Sequence, residues 1–306
     1  MVSFTVEKGR SGVALYDLIG QRYPDYNEKA IIRAFKTGNV TVNDKPAYGD
    51  DDVREGDVIR FYLAGDALGA DLTPEIVFQD ENMMVLDKPA GLLSAAEGDA
   101  PCAVHMAEAF MKERGEYHLD ALMVPYLVYP LDKYVSGLLL VAKHEEAYLF
   151  LVEALSQRRI ARYYICPVRG RAEEREELLA YHIRDKQGRS VKIAGASRKD
   201  AKPIVTRYEC LSAGEHMSLV RVRPVTNGLH QVRAHLAYAG LPVLGDDQYG
   251  DARFNRHFRA MNLCLWLDTI VFETGTGQGF DYLNGKRFES ASLNFARSVY
   301  EDGLME

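Results

Sequence analysis

The sequence predicts an α+β chain made of a small unit followed by a larger one. Three observations carry this reading. The first 63 residues hold two helical stretches and two short strands. The segment AGDALGAD, Ala64 to Asp71, is small and polar and reads as a linker. From Thr73 onward, strand-like and helix-like segments alternate without a regular period, and no internal repeat is visible. The expected boundaries are 1–63, a linker at 64–72, and 73–306.

In the small unit, a helix near Ser11 carries Leu15, Leu18 and Ile19 at helical spacing. A second helix, Glu28 to Lys36, puts Ile31, Ile32 and Phe35 on one face, and Gly38 suits its C-cap. NVTVND is a short alternating strand that ends in a turn at Asn43-Asp44-Lys45. REGDVIRFYL, Arg54 to Leu63, is a second strand after a turn at Glu55-Gly56.

In the larger unit, ENMMVLDKPAGLLS, Glu81 to Ser94, reads as a strand and a rigid proline turn. YPLDKYVSGLLLVAK, Tyr129 to Lys143, places Asp132 ahead of a turn at Ser136-Gly137 and an apolar run, Leu138 to Ala142. A run of that length bounded by a turn reads as a buried strand. Two readings of Asp132 stand side by side. One is a loop aspartate that caps a turn. The other is a catalytic carboxylate, held at a strand mouth and partly desolvated. RYYICPVRG, Arg162 to Gly170, is a strand whose Tyr163 and Tyr164 point to opposite faces.

Composition narrows the function. The chain is 47% hydrophobic and 26% charged, the balance of a globular protein. No apolar run approaches the roughly 20 residues that span a bilayer. The start, MVSFTVEKGRSG, lacks the apolar core of a signal peptide. Cys102, Cys166, Cys210 and Cys264 lie far apart, without metal-knuckle or disulfide spacing, so a cytoplasmic location is expected. There is no glycine-rich phosphate loop, and neither a metal nor an organic cofactor is expected. The net charge of −7 argues against a nucleic-acid partner when taken alone. A local basic patch is compatible with it.

The order of elements in the small unit resembles the RNA-binding domain first described in ribosomal protein S-four. Lys36 to Asn43 and Arg54 to Ile59 carry that resemblance. It implies phosphate contacts from Arg10, Lys29, Arg33 and Lys36. Arg33 and Lys36, three apart, share a helix face. An ordinary solvated face is the alternative for each.

Five segments of the larger unit, in order, resemble the RluA-type pseudouridine synthases. Glu81 to Ser94 is similar to the opening strand and Lys-Pro-x-Gly turn, with Lys88-Pro89 at the mouth of the site. Tyr129 to Lys143 is similar to His-Arg-Leu-Asp-x-x-Thr-Ser-Gly, with Asp132 on the catalytic aspartate. Arg162 to Gly170 is similar to a Lys-x-Tyr strand, with Tyr164 on the active-site tyrosine and Arg162 in place of the lysine. HIRDKQGRSVKI and AKPIVTRYECL match in order and read as structural. In Val225 to Gly250, His230, Gln231, Arg233, His235, Gly240, Pro242, Gly245, Asp246, Tyr249 and Gly250 match the pattern, with Arg233 on the residue that pairs with the aspartate. The chain departs at Tyr129, Pro130, Val135, Asn227 and Gly228.

The resemblance implies a mixed, mainly antiparallel sheet with helices flanking a central cleft. It also implies isomerisation of a uridine of ribosomal or transfer RNA to pseudouridine, without metal or cofactor. Asp132 would be the nucleophile, with Tyr164 and Arg233 beside it. Lys88, Arg162, His230, Gln231, Arg33 and Lys36 would bind substrate, while His230 and His235 would also support the site. Burial raises a carboxylate's pKa, and a cation beside it lowers it. Arg233 offers two parallel hydrogen bonds that offset desolvation. Tyr164 offers a stacking face, worth about 1–3 kcal/mol per base. In the family the arginine ahead of Leu-Asp helps fill the gap left by the flipped base. Pro130 stands there, and Gly228 removes a second arginine. These losses keep open a non-catalytic RNA-binding or RNA-folding factor on the same scaffold. The charge keeps open a protein without RNA contact.

Overall fold

The structure, a computed structural model, describes residues 2–10, 12–23, 31, 32, 34, 35, 40–43, 45–61, 73–96, 98, 100–187, 190–258, 260, 262–275 and 279–290. The chain divides into two compact units, Met1–Leu72 and Thr73–Glu306. The expected linker lies outside the described residues, as do Lys29, Arg33 and Lys36.

The first unit is a four-stranded antiparallel sheet, order β1-β4-β2-β3, with one helix among its described elements. Its strands are β1 (Val2–Thr5), β2 (Val40–Val42), β3 (Lys45–Pro46) and β4 (Val58–Phe61). Helix α1 (Leu15–Arg22) buries Leu15, Leu18 and Ile19 against Phe4, Val40, Ile59 and Phe61, as its spacing predicts. Ile32 corrects the expected face of the second helical stretch. It is 37% exposed, whereas Ile31 and Ala34 are buried. Adjacent helical residues diverge by about 100°, so both isoleucines cannot face one core. Strand β1 was not anticipated, although its alternation continues into Val6, with Phe4 and Val6 both buried. Arg10 donates to Gln21 Oε1 at 2.7 Å.

The second unit is built on one 11-stranded sheet. Its strands are β5 (Glu75–Gln79), β6 (Met83–Lys88), β7 (Tyr126–Leu127), β8 (Ser136–Ala142), β9 (Ile160–Arg169), β10 (Arg175–Arg184), β11 (Val191–Ala194), β12 (Lys202–Ala213), β13 (Met217–Pro224), β14 (Trp266–Phe272) and β15 (Arg287–Glu289). The main path runs β11-β10-β12-β13-β9-β14-β8-β6-β5, with β15 on β14 and β7 on β8. Only the β14–β8 pair is parallel among the described strands. Four helices are among the unit's described elements: α2 (Ala103–Glu113), α3 (Glu145–Ser156), α4 (Gln231–Tyr238) and α5 (Ala252–His257). This is the expected mixed, mainly antiparallel α+β architecture. No described helix is long and apolar enough to cross a membrane.

Strands β6 and β8 are buried at every position, which is why they read as near-continuous apolar runs. Ser136 and Gly137 are already the first residues of β8, not a turn. The turn is Lys133-Tyr134, closed by Val135 N–H donating to Asp132 O at 3.0 Å. Gly137 is required by a neighbouring strand. Its φ is +105°, and a Cβ there would lie 2.2 Å from the Leu267 carbonyl oxygen of β14. Gly137→Ala is therefore expected to destabilise the fold by on the order of 3 kcal/mol or more, read as a lowered midpoint in urea unfolding.

Candidate active site

Asp132 sits on a turn braced from beneath by two buried polar side chains. Ser94 Oγ accepts from Leu131 N–H at 2.9 Å and donates to Leu131 O at 2.8 Å. Lys88 Nζ donates to the carbonyls of Leu92, Pro89 and Lys133, at 2.8, 3.1 and 3.2 Å. The residues on both sides of Asp132 are thus anchored to the end of β6 and the loop that follows. Lys88 is fully buried, which corrects its expected place at the mouth of the site. Its three N–H groups are all directed at backbone carbonyls. Burial pushes its ammonium down to about 7, and the charge of Asp132 opposes that shift.

The partner of Asp132 comes from α4. Chain entry into this helix is tight, with His230 in the left-handed region at φ +48°. Arg233 then donates Nη1 to Asp132 Oδ2 at 2.9 Å. Its other donors are engaged elsewhere. Nε and Nη2 hold the two oxygens of Asp246, each at 2.8 Å. The Asp246 side chain is 1% exposed and accepts the backbone N–H groups of Gln248 and Tyr249. Burial opposes its ionisation, yet Arg233 and these N–H groups hold the Asp246 carboxyl below the usual range. Arg233 itself loses to burial and gains more from the two carboxylates, and its value is raised. In the sequence Asp246 was one matched position in a pattern. Its role as the carboxylate that orients Arg233 was missed, because nothing local reveals its partner.

Around this pair lies a cleft of about 100 Å³ whose walls include Pro130, Tyr164, Arg162, Asn227 and His230. Asp132 remains 31% exposed toward it. Tyr164, from β9, is buried, and burial raises its phenol pKa. His230 Nε2 lies 3.6 Å from Asp132 Oδ1, and its Nδ1 is 2.9 Å from the Tyr249 hydroxyl. Burial pushes the His230 imidazole down, with Asp132 opposing the shift. Three positions that differ from the family pattern meet one another here. Arg162 stands 4.7 Å over the Tyr129 ring and donates Nη2 to Asn227 Oδ1.

Gln231 is corrected from a substrate contact to a brace. Its Nε2 donates to Val205 O and to Thr206 Oγ1, while its Oε1 accepts from Gly228 N–H and Thr226 Oγ1. The amide is thereby spent on the Thr226–Gly228 loop. A Cβ at Gly228 would lie 3.0 Å from Gln231 Oε1, so a larger residue there requires the loop to shift. His235 is buried beside Thr206 Oγ1 at 2.9 Å, in the supporting position expected.

The arrangement leaves one carboxylate oxygen tied to a guanidinium and the other facing an open cleft beside an aromatic ring. Such a group can act as a nucleophile or a base toward a planar substrate. A family model described as RNA pseudouridylate synthase matches residues 82–238. The chain belongs to this family. The synthase is 31% identical over 284 residues to the ribosomal large subunit pseudouridine synthase C of Escherichia coli strain K12, spanning 87% of this chain and 79% of that one. It is 28% identical over 247 residues to the protein of that name from Rickettsia typhi, spanning 75% and 79%. Among solved structures, human RNA pseudouridylate synthase domain containing 4 aligns with a TM-score of 0.57 at 20% identity, over 74% of this chain and 91% of that one. Human RNA pseudouridylate synthase domain containing 1 aligns at 0.54 and 21% identity, over 75% and 95%. These two likenesses concern the fold. The synthase is thus an isomerase acting on uridine in RNA.

Removal of Arg233 strands Asp246 as a buried, unpaired carboxylate. Arg233→Ala is expected to cost about 3–5 kcal/mol of stability in urea unfolding, in addition to its effect on Asp132. Burial alone pushes His235 down from 6.5 to about 4. On acidification the unfolded chain takes up this proton before the folded one does. The contribution of neutral His235 is therefore whole above pH 6.5 and lost as the pH falls toward 4, a loss of roughly 3 kcal/mol. Unfolding free energies measured from pH 7 to 4 should slope downward in the wild type and flatten in His235→Gln.

Proposed function

We propose that this synthase converts a uridine of ribosomal RNA to pseudouridine, with Asp132 as the nucleophile. The observation that carries the reading is the 2.9 Å contact between Arg233 Nη1 and Asp132 Oδ2, joining residues 101 positions apart at the edge of an open cleft. Of the two RNA classes expected from the sequence, the names of the relatives favour ribosomal RNA of the large subunit.

In the proposed reaction the bond from the ribose anomeric carbon to uracil N1 breaks. A bond from the same carbon to uracil C5 forms, the C5 proton leaves to solvent, and N1 takes up a proton in exchange. No electrons are gained or lost overall. The Asp132 carboxylate attacks the anomeric carbon, displacing uracil N1, or adds to the uracil ring; the bond it makes breaks again before product leaves, and the base turns while detached from the ribose. Arg233 holds that carboxylate in place. Tyr164, as a protonated phenol, supplies a face for the uracil and a hydroxyl near its ring. The uridine has to leave its stack to enter, at a cost of a few kcal/mol. At the mouth, where Pro130 carries no charge, Arg162 is the available cation, stiffened by Tyr129 and Asn227.

Ribosomal RNA tritiated at uridine C5, from cells lacking the synthase, tests the proposal. The wild type should release tritium to water, and Asp132→Asn should lower the rate ~1,000-fold or more while remaining folded. Full activity in that variant, or no release by the wild type on ribosomal RNA, overturns the reading. A non-catalytic scaffold would show the second result.

A further inference from the structure

A cavity of about 470 Å³ is lined chiefly by residues of the sheet's reverse face. That volume falls in the range of roughly 300–1,000 Å³ typical of ligand sites. Strand alternation builds it. Tyr164 faces the Asp132 cleft, so its neighbour Tyr163 faces the other way. Two cross-strand rows stand beside Tyr163. In one, Arg223 of β13 is opposite Arg207 of β12, which is opposite Glu177 of β10. In the other, Arg221 is opposite Glu209, which is opposite Arg175. Four arginines thus share the pocket with three glutamates, Glu176 being the third, in a chain whose net charge is −7.

The charges on this wall are not balanced within it. Glu177 pairs with Arg207 at 2.5 Å. Glu209 is shared between Arg221 at 3.2 Å and Arg175 at 3.8 Å. Arg223 meets no carboxylate among the described residues, and its guanidinium stands 5.7 Å over the Tyr163 ring. Like charges directly opposite on neighbouring strands are destabilising, and Glu177 relieves the Arg223–Arg207 pair only on the Arg207 side. The Arg221 Nε is buried and has no hydrogen-bond partner. A phosphate would balance Arg223, and the adjacent Tyr163 ring offers a base a stacking surface.

We infer that this pocket is a second RNA subsite, holding a nucleotide of the substrate other than the target uridine, with its phosphate against Arg223 and Arg221 and its base on Tyr163. The inference rests on the RNA reading above. The RNA reading of the Asp132 cleft, whose lining begins one residue further along β13, selects RNA rather than a free nucleotide. Arg223 lines the reverse pocket, and the next residue, Pro224, lines the Asp132 cleft. An RNA strand crossing the end of β13 therefore passes from one to the other.

Fluorescent decauridylate binding to the full-length protein tests this, with thermal midpoints measured alongside. Arg223→Glu should raise the Kd about 10-fold and flatten its salt dependence. Tyr163→Ala should raise it about 5-fold or more. Arg223→Lys and Tyr163→Phe should stay near wild type and show that folding is not the cause. In tritium release from ribosomal RNA, Arg223→Glu should raise KM and leave kcat unchanged. Unaltered decauridylate binding in folded Arg223→Glu and Tyr163→Ala overturns the subsite and leaves the Asp132 reading standing. Uridine monophosphate binding as tightly as decauridylate, in an Arg223-dependent way, also overturns it, in favour of a free-nucleotide site. Absence of tritium release in the wild type overturns the Asp132 reading instead, and the binding comparison still decides the subsite.

Discussion

One guanidinium, Arg233, is shared between two carboxylates of unequal burial, and the geometry of the cleft follows from that inequality. Asp246 is enclosed and takes two of the guanidinium's donors along one edge. Withdrawal of that edge would leave a charge without solvent or partner, so it stays fixed. The donor that remains points at Asp132, which is open to the cleft on its other side. A lysine has no such fork and could not serve both acids with fixed direction. The enclosed acid orients the arginine, and the arginine orients the reactive acid.

Orientation of the carboxylate also requires a stationary backbone. Ser94 grips the residue before Asp132, and Lys88 grips the residue after it. Both side chains sit at or just beyond the end of β6, whose neighbour β8 carries the chain away from the turn. Polar groups buried in this way have little freedom, because each lost hydrogen bond would leave an unsolvated donor or acceptor. The same economy operates across the cleft, where Gln231 ties the Thr226–Gly228 loop to β12.

The residues most legible in the sequence were Asp132, Tyr164 and Arg233, and the structure gathers all three at one cleft. Asp132 carried a local signal, an acid before an apolar run, whereas Tyr164 and Arg233 were legible through the resemblance to the family's motifs. Lys88 and Gln231 were read as facing substrate, because a sequence does not disclose which donors are already spent. Lysine is so seldom fully enclosed that its burial is a poor expectation from sequence. Gly137 read as a turn because glycine usually marks one. Its actual cause is the backbone of Leu267, far along the chain. Ile32 was misplaced by proximity in sequence to Ile31. Strand β1 had a readable alternation and was passed over.

Strand β14 has a consequence for how the molecule comes into being. It lies between β8 and β9, so it is the seam where the half of the sheet that bears Asp132 meets the half that bears Tyr164. It also follows both of them in the chain. A growing chain that stops short of Trp266 holds the two halves with two unpaired edges, poised for wrong pairing rather than for chemistry. The cleft is thus assembled only after β14 has left the ribosome, so the site with which the protein acts on RNA cannot form before that strand is in place.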